Sequence, residues 1–187
     1  MVRRPTPYNY SVRRILTILA LVVGAYTVVD GQVPDAKLEA ELKQLFPAAT
    51  SFSPKGGTPP HIKAYNGDPN NPASLLGYVF WSTEVSPLER AYDGPIKILV
   101  GLNPTGKLAG VIVVEHHEPY GSFSVATPQF AAQFKGKDIR DPFQVGKDVD
   151  AISTATISVT SASRAIRLSS LRIARALLAP PGTGTKN

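Results

Sequence analysis

Hydrophobic and polar positions change period several times along this chain. Residues 15–29 (ILTILALVVGAYTVV) form an unbroken uncharged run. Leu38, Leu42 and Leu45 then recur at helical spacing between charges, predicting an amphipathic helix from Asp35 to Phe46 that Pro47 ends. Residues 51–75 are rich in Ser, Pro, Gly and Asn and read as a long surface loop, with turns at Gly56-Gly57, Pro59-Pro60 and Asn66-Gly67. Three runs follow in which Val, Ile, Leu and aromatic residues dominate: Gly77–Val85, Pro95–Leu102 and Leu108–His116. They predict strands, the last two joined as a hairpin through Asn103-Pro104-Thr105-Gly106. Residues 117–149 return to loop and short helix, with Phe130, Phe134 and Phe143 as core contacts. Ile157–Val159 reads as a short strand, and Ser161–Leu178 as a C-terminal helix burying Ala162, Ala165, Ile166, Ile173, Ala174 and Leu177. The pattern predicts an α+β domain over residues 35–178, an antiparallel sheet with flanking helices, followed by a flexible tail at 179–187.

The uncharged run changes the picture outside that domain. Arg3, Arg4, Arg13 and Arg14 precede it without an acid, and Asp30 follows it. This asymmetry predicts a basic cytoplasmic tail (1–14), a membrane anchor or signal segment (15–29) in contact with lipid, and a domain outside the cytoplasm. At 1.5 Å per residue the run covers roughly 22 Å of the roughly 30 Å hydrocarbon core. Its length thus lies between a short anchor and a signal-peptide core, and Val23-Gly24-Ala25 offers small residues for cleavage. The expected location is the bacterial inner membrane, single-pass, with the functional domain on the periplasmic side.

Composition narrows the chemistry further. The 187 residues suffice for one domain with a substantial core. No cysteine is present, which excludes disulfides, thiolate metal sites and thiol catalysis by this chain. The net charge of +6 is concentrated at the N-terminus and at Arg164, Arg167, Arg172 and Arg175, while the stretch between them is mildly acidic. Nothing beyond charge supports nucleic-acid binding, and no metal-ligand cluster is apparent.

Residues 150–163 hold the chemically informative stretch. Ser and Thr dominate it, interspersed with Ala, so hydroxyls are exposed and a partner can approach closely. A hydroxyl needs activation from outside to act as a nucleophile, and no histidine is near in sequence. The segment suits a modification acceptor served by another enzyme. A hydrolase using Ser153 or Thr156 with His117 is the competing reading, without a Gly-x-Ser-x-Gly elbow to support it.

Asp150-x-x-Ser153-Thr154-Ala155-Thr156 resembles the flavinylation motif of the FMN-binding domain family, in which glycine is usual at the position of Thr154. The resemblance implies that a flavin transferase moves FMN from FAD onto Thr156 as a phosphoester. Leu45-Phe46-Pro47, Gly77-Tyr78-Val79-Phe80, Tyr92-Asp93-Gly94-Pro95-Ile96, Leu99-Val100-Gly101-Leu102 and His116-His117-Glu118-Pro119 appear in order. Together they are similar to the periplasmic flavin domain of the regulators of nitrous-oxide and nitrite reduction. The layout is also similar to the single-anchor flavin subunits of NADH:quinone oxidoreductase-type complexes.

Through this resemblance, Asp150, Ser153, Thr154, Ala155, Thr156 and Ser158 are expected at the cofactor. The loop His117, Glu118, Pro119, Tyr120 and Gly121 is expected against the flavin ring. Arg164 is expected near the phosphate for a separate reason: it begins the C-terminal helix just after Thr156. The implied role is electron transfer within or to a membrane redox complex or from a quinol-linked donor, as a subunit rather than a stand-alone enzyme. A non-redox accessory or sensor subunit is the alternative.

Overall fold

The computed structural model describes residues 35–178 apart from Leu88. The predicted basic tail, the segment 15–29 and the C-terminal tail lie outside the described residues. Among those described, no helix is long and apolar enough to cross a membrane.

Five strands form one antiparallel meander in chain order. They are β1 (Ser51–Phe52), β2 (Ile62–Tyr65), β3 (Leu75–Trp81), β4 (Lys97–Leu102) and β5 (Leu108–Glu115). Helix α1 (Ala36–Leu45) precedes the sheet, and a single helical turn, α2 (Ser82–Val85), follows β3. The short α3 (Pro128–Ala132) and the 22-residue α4 (Thr156–Leu177) complete the fold. The α+β class and the flanking helices match the expectation from sequence.

Strand periodicity explains the two cores. Successive side chains point to opposite faces. On one face Tyr78, Phe80, Ile98, Val100 and Leu102 meet Val159, Ala162, Ile166 and Ile173 of α4. Phe130, Phe134 and Phe143 join this core through edge-to-face contacts. On the other face Val79, Trp81 and Leu99 meet Leu42 and Leu45 of α1 together with Phe46. A sheet covered on both sides favours continuous apolar strands, and in β4 every residue from Ile98 to Leu102 is buried.

Local signals account for the hairpin and the helix start. The Asn103 side chain accepts from Thr105 N–H (3.0 Å) and Lys107 N–H (2.9 Å), and Gly106 takes φ +83°. This is turn chemistry that Asn and Gly favour. Asp35 caps α1, its carboxylate accepting from Lys37 N–H.

Four boundaries differ from the sequence reading. The segment read as loop over 51–75 contains β1 and β2, short strands whose Pro- and Gly-rich flanks hide a four-residue alternation, Ile62–Tyr65. The first apolar run turns helical at Ser82, whose buried hydroxyl bonds Ile96 C=O and Ile98 N–H instead of continuing the strand. Ile157–Val159 is the first turn of α4, not a strand. That helix therefore begins at Thr156, five residues before the expected Ser161. Burial of Val159, Ala162 and Ile166 against the sheet outweighs the β-propensity of a Thr- and Val-bearing segment. Further along, Ser163, Ser169 and Ser170 satisfy their buried hydroxyls on carbonyls one turn back.

Candidate functional site

Thr156 is the first residue of α4. A helix leaves its first N–H groups without intrahelical partners. Here the residue before the helix, Ala155, provides no side-chain cap, and the first bond back to it comes from Val159 N–H (3.0 Å). The N–H groups of Thr156, Ile157 and Ser158 have no backbone acceptor among the described residues. The Thr156 side chain is exposed.

Immediately before it the backbone turns sharply. Thr154 takes φ +70°, a region that a β-branched residue enters only at a cost and that glycine enters freely. The glycine expected at this position thus has a conformational reason, and the chain holds threonine there in the same left-handed conformation. Ala155 is buried behind the turn and fixes its depth.

The opposite wall comes from the loop after β5. Glu118 is buried. One of its carboxylate oxygens accepts from Asp93 N–H at 2.9 Å, and the other accepts from the Ser158 hydroxyl in a very short contact. Ser161 Oγ donates to Arg90 C=O (2.7 Å). These bonds tie three segments together: the turn at 90–94, the loop at 118–120 and the start of α4. Between them lies an open cavity of about 510 Å³ lined by Tyr92, Glu118, Pro119, Tyr120 and residues 154–158. Its volume lies within the roughly 300–1,000 Å³ usual for small-molecule sites.

The rim is apolar and faces solvent: Tyr92 is 70% exposed, Ile157 60% and Tyr120 58%. Burial of such groups by a planar ligand is favourable, and aromatic faces stack on flat rings. The cavity therefore combines the exposed Thr156 hydroxyl, an uncapped helix N-terminus suited to a phosphate, and aromatic side chains. Glu118 does not present a bare charge to it, because both oxygens hold donors. These features fit a phosphate-bearing flavin.

The structure brings together seven of the residues singled out from sequence: Glu118, Pro119, Tyr120, Thr154, Ala155, Thr156 and Ser158. The other five do not line the cavity. Asp150 and Ser153 are exposed just ahead of it, Asp150 donating its N–H to Gln133 Oε1 (2.7 Å). His117 is exposed, while His116 turns partly inward with Nδ1 buried and without a hydrogen bond. Gly121 packs on His116 so closely that a Cβ there would lie 2.1 Å from the ring. Arg164 lies in the third turn of α4, roughly 12 Å along the axis from Thr156, and pairs with Glu89 at 3.1 Å. Its expected place near a phosphate rested on a helix starting at 161, and the earlier start removes that reason.

Two wall residues escaped the sequence reading. Tyr92 belongs to a turn whose aromatic is exposed, a signal that the Tyr-Asp-Gly-Pro pattern carries only once the turn is placed. Ile157 reads as a strand residue from sequence, whereas in the first turn of α4 it is 60% exposed. No imidazole lines the cavity, which leaves the hydrolase reading without a base beside Thr156.

Comparison with known proteins bears on the same segment. The curated regulatory protein NosR of Stutzerimonas stutzeri is 31% identical to the chain over 96 residues, 46% of this chain and 13% of that relative. The chain thus spans a small part of the relative's length. Residues 91–169, which hold Tyr92, Glu118 and Thr156, match the FMN-binding domain. Over residues 91–169, then, the chain is similar to the FMN-binding domain, and the cavity lies within that stretch.

Proposed function

We propose that this domain carries FMN as a phosphoester on Thr156 and serves as an electron-transfer module of a membrane redox system. The single observation behind the covalent reading is the placement of Thr156. Its exposed side chain opens the uncapped α4 and borders the cavity. A phosphate on that oxygen would sit at the positive end of α4, within reach of N–H groups that lack acceptors. Tyr92 and Tyr120 would flank the ring, and Glu118 would hold the walls in place through Asp93 and Ser158. The bound flavin would supply the redox chemistry, and the protein the binding and electrostatics.

Thr156 needs an external enzyme for this modification. Glu118, the carboxylate in the cavity wall, is occupied by two donors, and no histidine is present there to take the hydroxyl proton. A flavin transferase acting on FAD is the matching activity, with AMP as leaving group. Tethering by residues 15–29, with the domain on the periplasmic side of the bacterial inner membrane, would keep the module beside a membrane complex or quinol-linked donor. The charge asymmetry around that segment supports this.

The test is an intact mass and absorbance spectrum of acid-denatured protein from its native membranes. A yellow chain heavier by one FMN minus water, lost in Thr156→Val, is the expected result. A colourless chain of unmodified mass would reject the covalent reading. Threonine at 154 in place of glycine favours the accessory-subunit reading as the alternative, and in that case Thr156→Val would leave electron flow in the membranes unchanged.

A further inference from the structure

A second concave surface lies along α4, beyond the Thr156 cavity. The helix carries no acidic residue, and Arg164, Arg167, Arg172 and Arg175 are spread along its length. Two of these guanidiniums are fixed by the backbone. Arg167 Nε donates to Asp141 C=O (2.8 Å), and Arg172 Nη1 donates to Val85 C=O (2.5 Å). Each keeps further N–H donors for a ligand, and a guanidinium already held in place loses less entropy on binding.

An open cleft of about 630 Å³ runs beside Arg164 and Arg167. Thr160, one helical turn after Thr156, lies at one end, and Pro142, Val145 and Leu168 provide apolar walls. The far wall is a built feature. Phe143 takes φ +49°, costly for a bulky side chain. The Asp148 carboxylate holds it there, accepting from Phe143 N–H (3.1 Å) and Gln144 N–H (2.6 Å).

We propose that this cleft docks an acidic segment of a partner protein, its carboxylates on Arg164 and Arg167 and an apolar side chain against Pro142, Val145 and Leu168. Charge complementarity carries the choice. Glu89 is the acid paired with Arg164, and that Arg164 side chain is 69% exposed, so the pair is weak and exchangeable. Asp148 is committed to the loop and to Lys137, and Asp141 meets Arg167 through its carbonyl. Guanidinium forks match carboxylates in a bidentate manner. The apolar groups line a concavity instead of projecting, which suits an inserted peptide better than a lipid surface. A partner seated here would lie within a few helical turns of Thr156.

The test needs no flavin, so its failure is separate from failure of the Thr156 reading. The full chain in neutral detergent is titrated with a fluorescein-labelled peptide of Glu and Leu, and with the same peptide carrying Gln for Glu, by anisotropy. Wild type is expected to bind the Glu peptide and not the Gln peptide. Arg164→Gln combined with Arg167→Gln should weaken binding by about tenfold or more per arginine, one charge-assisted contact being lost at each. Thr160→Glu, at an exposed position, should weaken it similarly, and decides alone if the double variant fails to fold by circular dichroism. Arg140→Gln, at an exposed arginine paired with Asp138 outside the cleft, should bind as wild type. Absent binding by wild type, unchanged affinity in the cleft variants, or equal displacement by phosphatidylserine-doped micelles would overturn the proposal.

Discussion

Glu118 and Ser158, 40 positions apart in the chain, meet through a buried hydrogen bond that joins the loop after β5 to the first turn of α4. The second carboxylate oxygen of Glu118 holds Asp93 N–H, so one side chain fixes three walls of the cavity beside Thr156. Glu118→Ala would leave the Asp93 N–H and the Ser158 hydroxyl without partners. The expected loss is about 1–3 kcal/mol in urea unfolding, because the buried Ser158 hydroxyl would lose its charged partner. Glu118→Gln should retain most stability, since its amide can accept from Asp93 N–H and donate to Ser158 Oγ. Equal stability of the Ala variant and wild type would refute the strut.

Thr154 occupies a conformation that glycine enters freely. Thr154→Gly removes a left-handed penalty of about 1–2 kcal/mol and adds about 0.5–1 kcal/mol of unfolded-state entropy. A net gain of roughly 0.5–1 kcal/mol follows, visible as a higher urea midpoint with unchanged slope. If Thr156 is the flavin acceptor, the same variant should also raise the flavin content of protein from native membranes. A lower midpoint would show that threonine makes compensating contacts at this turn.

Gly121 is constrained by space. A methyl group there would meet His116 Cε1 at 2.1 Å and Nδ1 at 2.2 Å. Gly121→Ala should destabilise by about 1–3 kcal/mol, the usual range for overpacking. His116→Ala removes the obstacle, so the double variant should be more stable than the sum of the two single losses predicts. Strict additivity in the four-protein cycle would mean the ring simply swings aside.

Asp148 provides a pH signature. Burial alone would raise its pKa, but the Gln144 N–H, the Lys137 ammonium and the Phe143 N–H together outweigh this and hold it below the ordinary carboxylate range. A group depressed in the folded state adds stability that is present above its unfolded pKa, near 3.9, and fades as pH falls through the lower folded value. Asp148→Asn should therefore be less stable than wild type at neutral pH, by about 1–3 kcal/mol for charge-assisted bonds lost. The gap should narrow below about pH 4. A gap that persists undiminished into acid would assign the loss to shape instead of charge.

Much of the fold was legible along the chain, because it rests on local periodicity. The apolar runs of β3 to β5, the turn residues at 103–106 and the leucine spacing of α1 each encode an element within a few residues. The hydroxyl-rich stretch at 150–163 was legible for the same reason: its Ser and Thr residues are adjacent in the chain. Thr156 could be singled out without knowing what surrounds it, and it falls within the stretch 91–169 that matches the FMN-binding domain.

Tertiary structure alone decided the rest. Where α4 begins depends on Val159, Ala162 and Ile166 finding the sheet, a contact invisible to local propensity. That start in turn moved Arg164 away from Thr156 and onto Glu89. The cavity wall at Tyr92 and the bridge from Glu118 to Ser158 join segments separated by tens of residues, and no periodicity records such pairings. The chain's own pattern determined the sheet and the chemically exposed threonine, while long-range packing, which fixes helix starts and buries polar links, determined what that threonine faces.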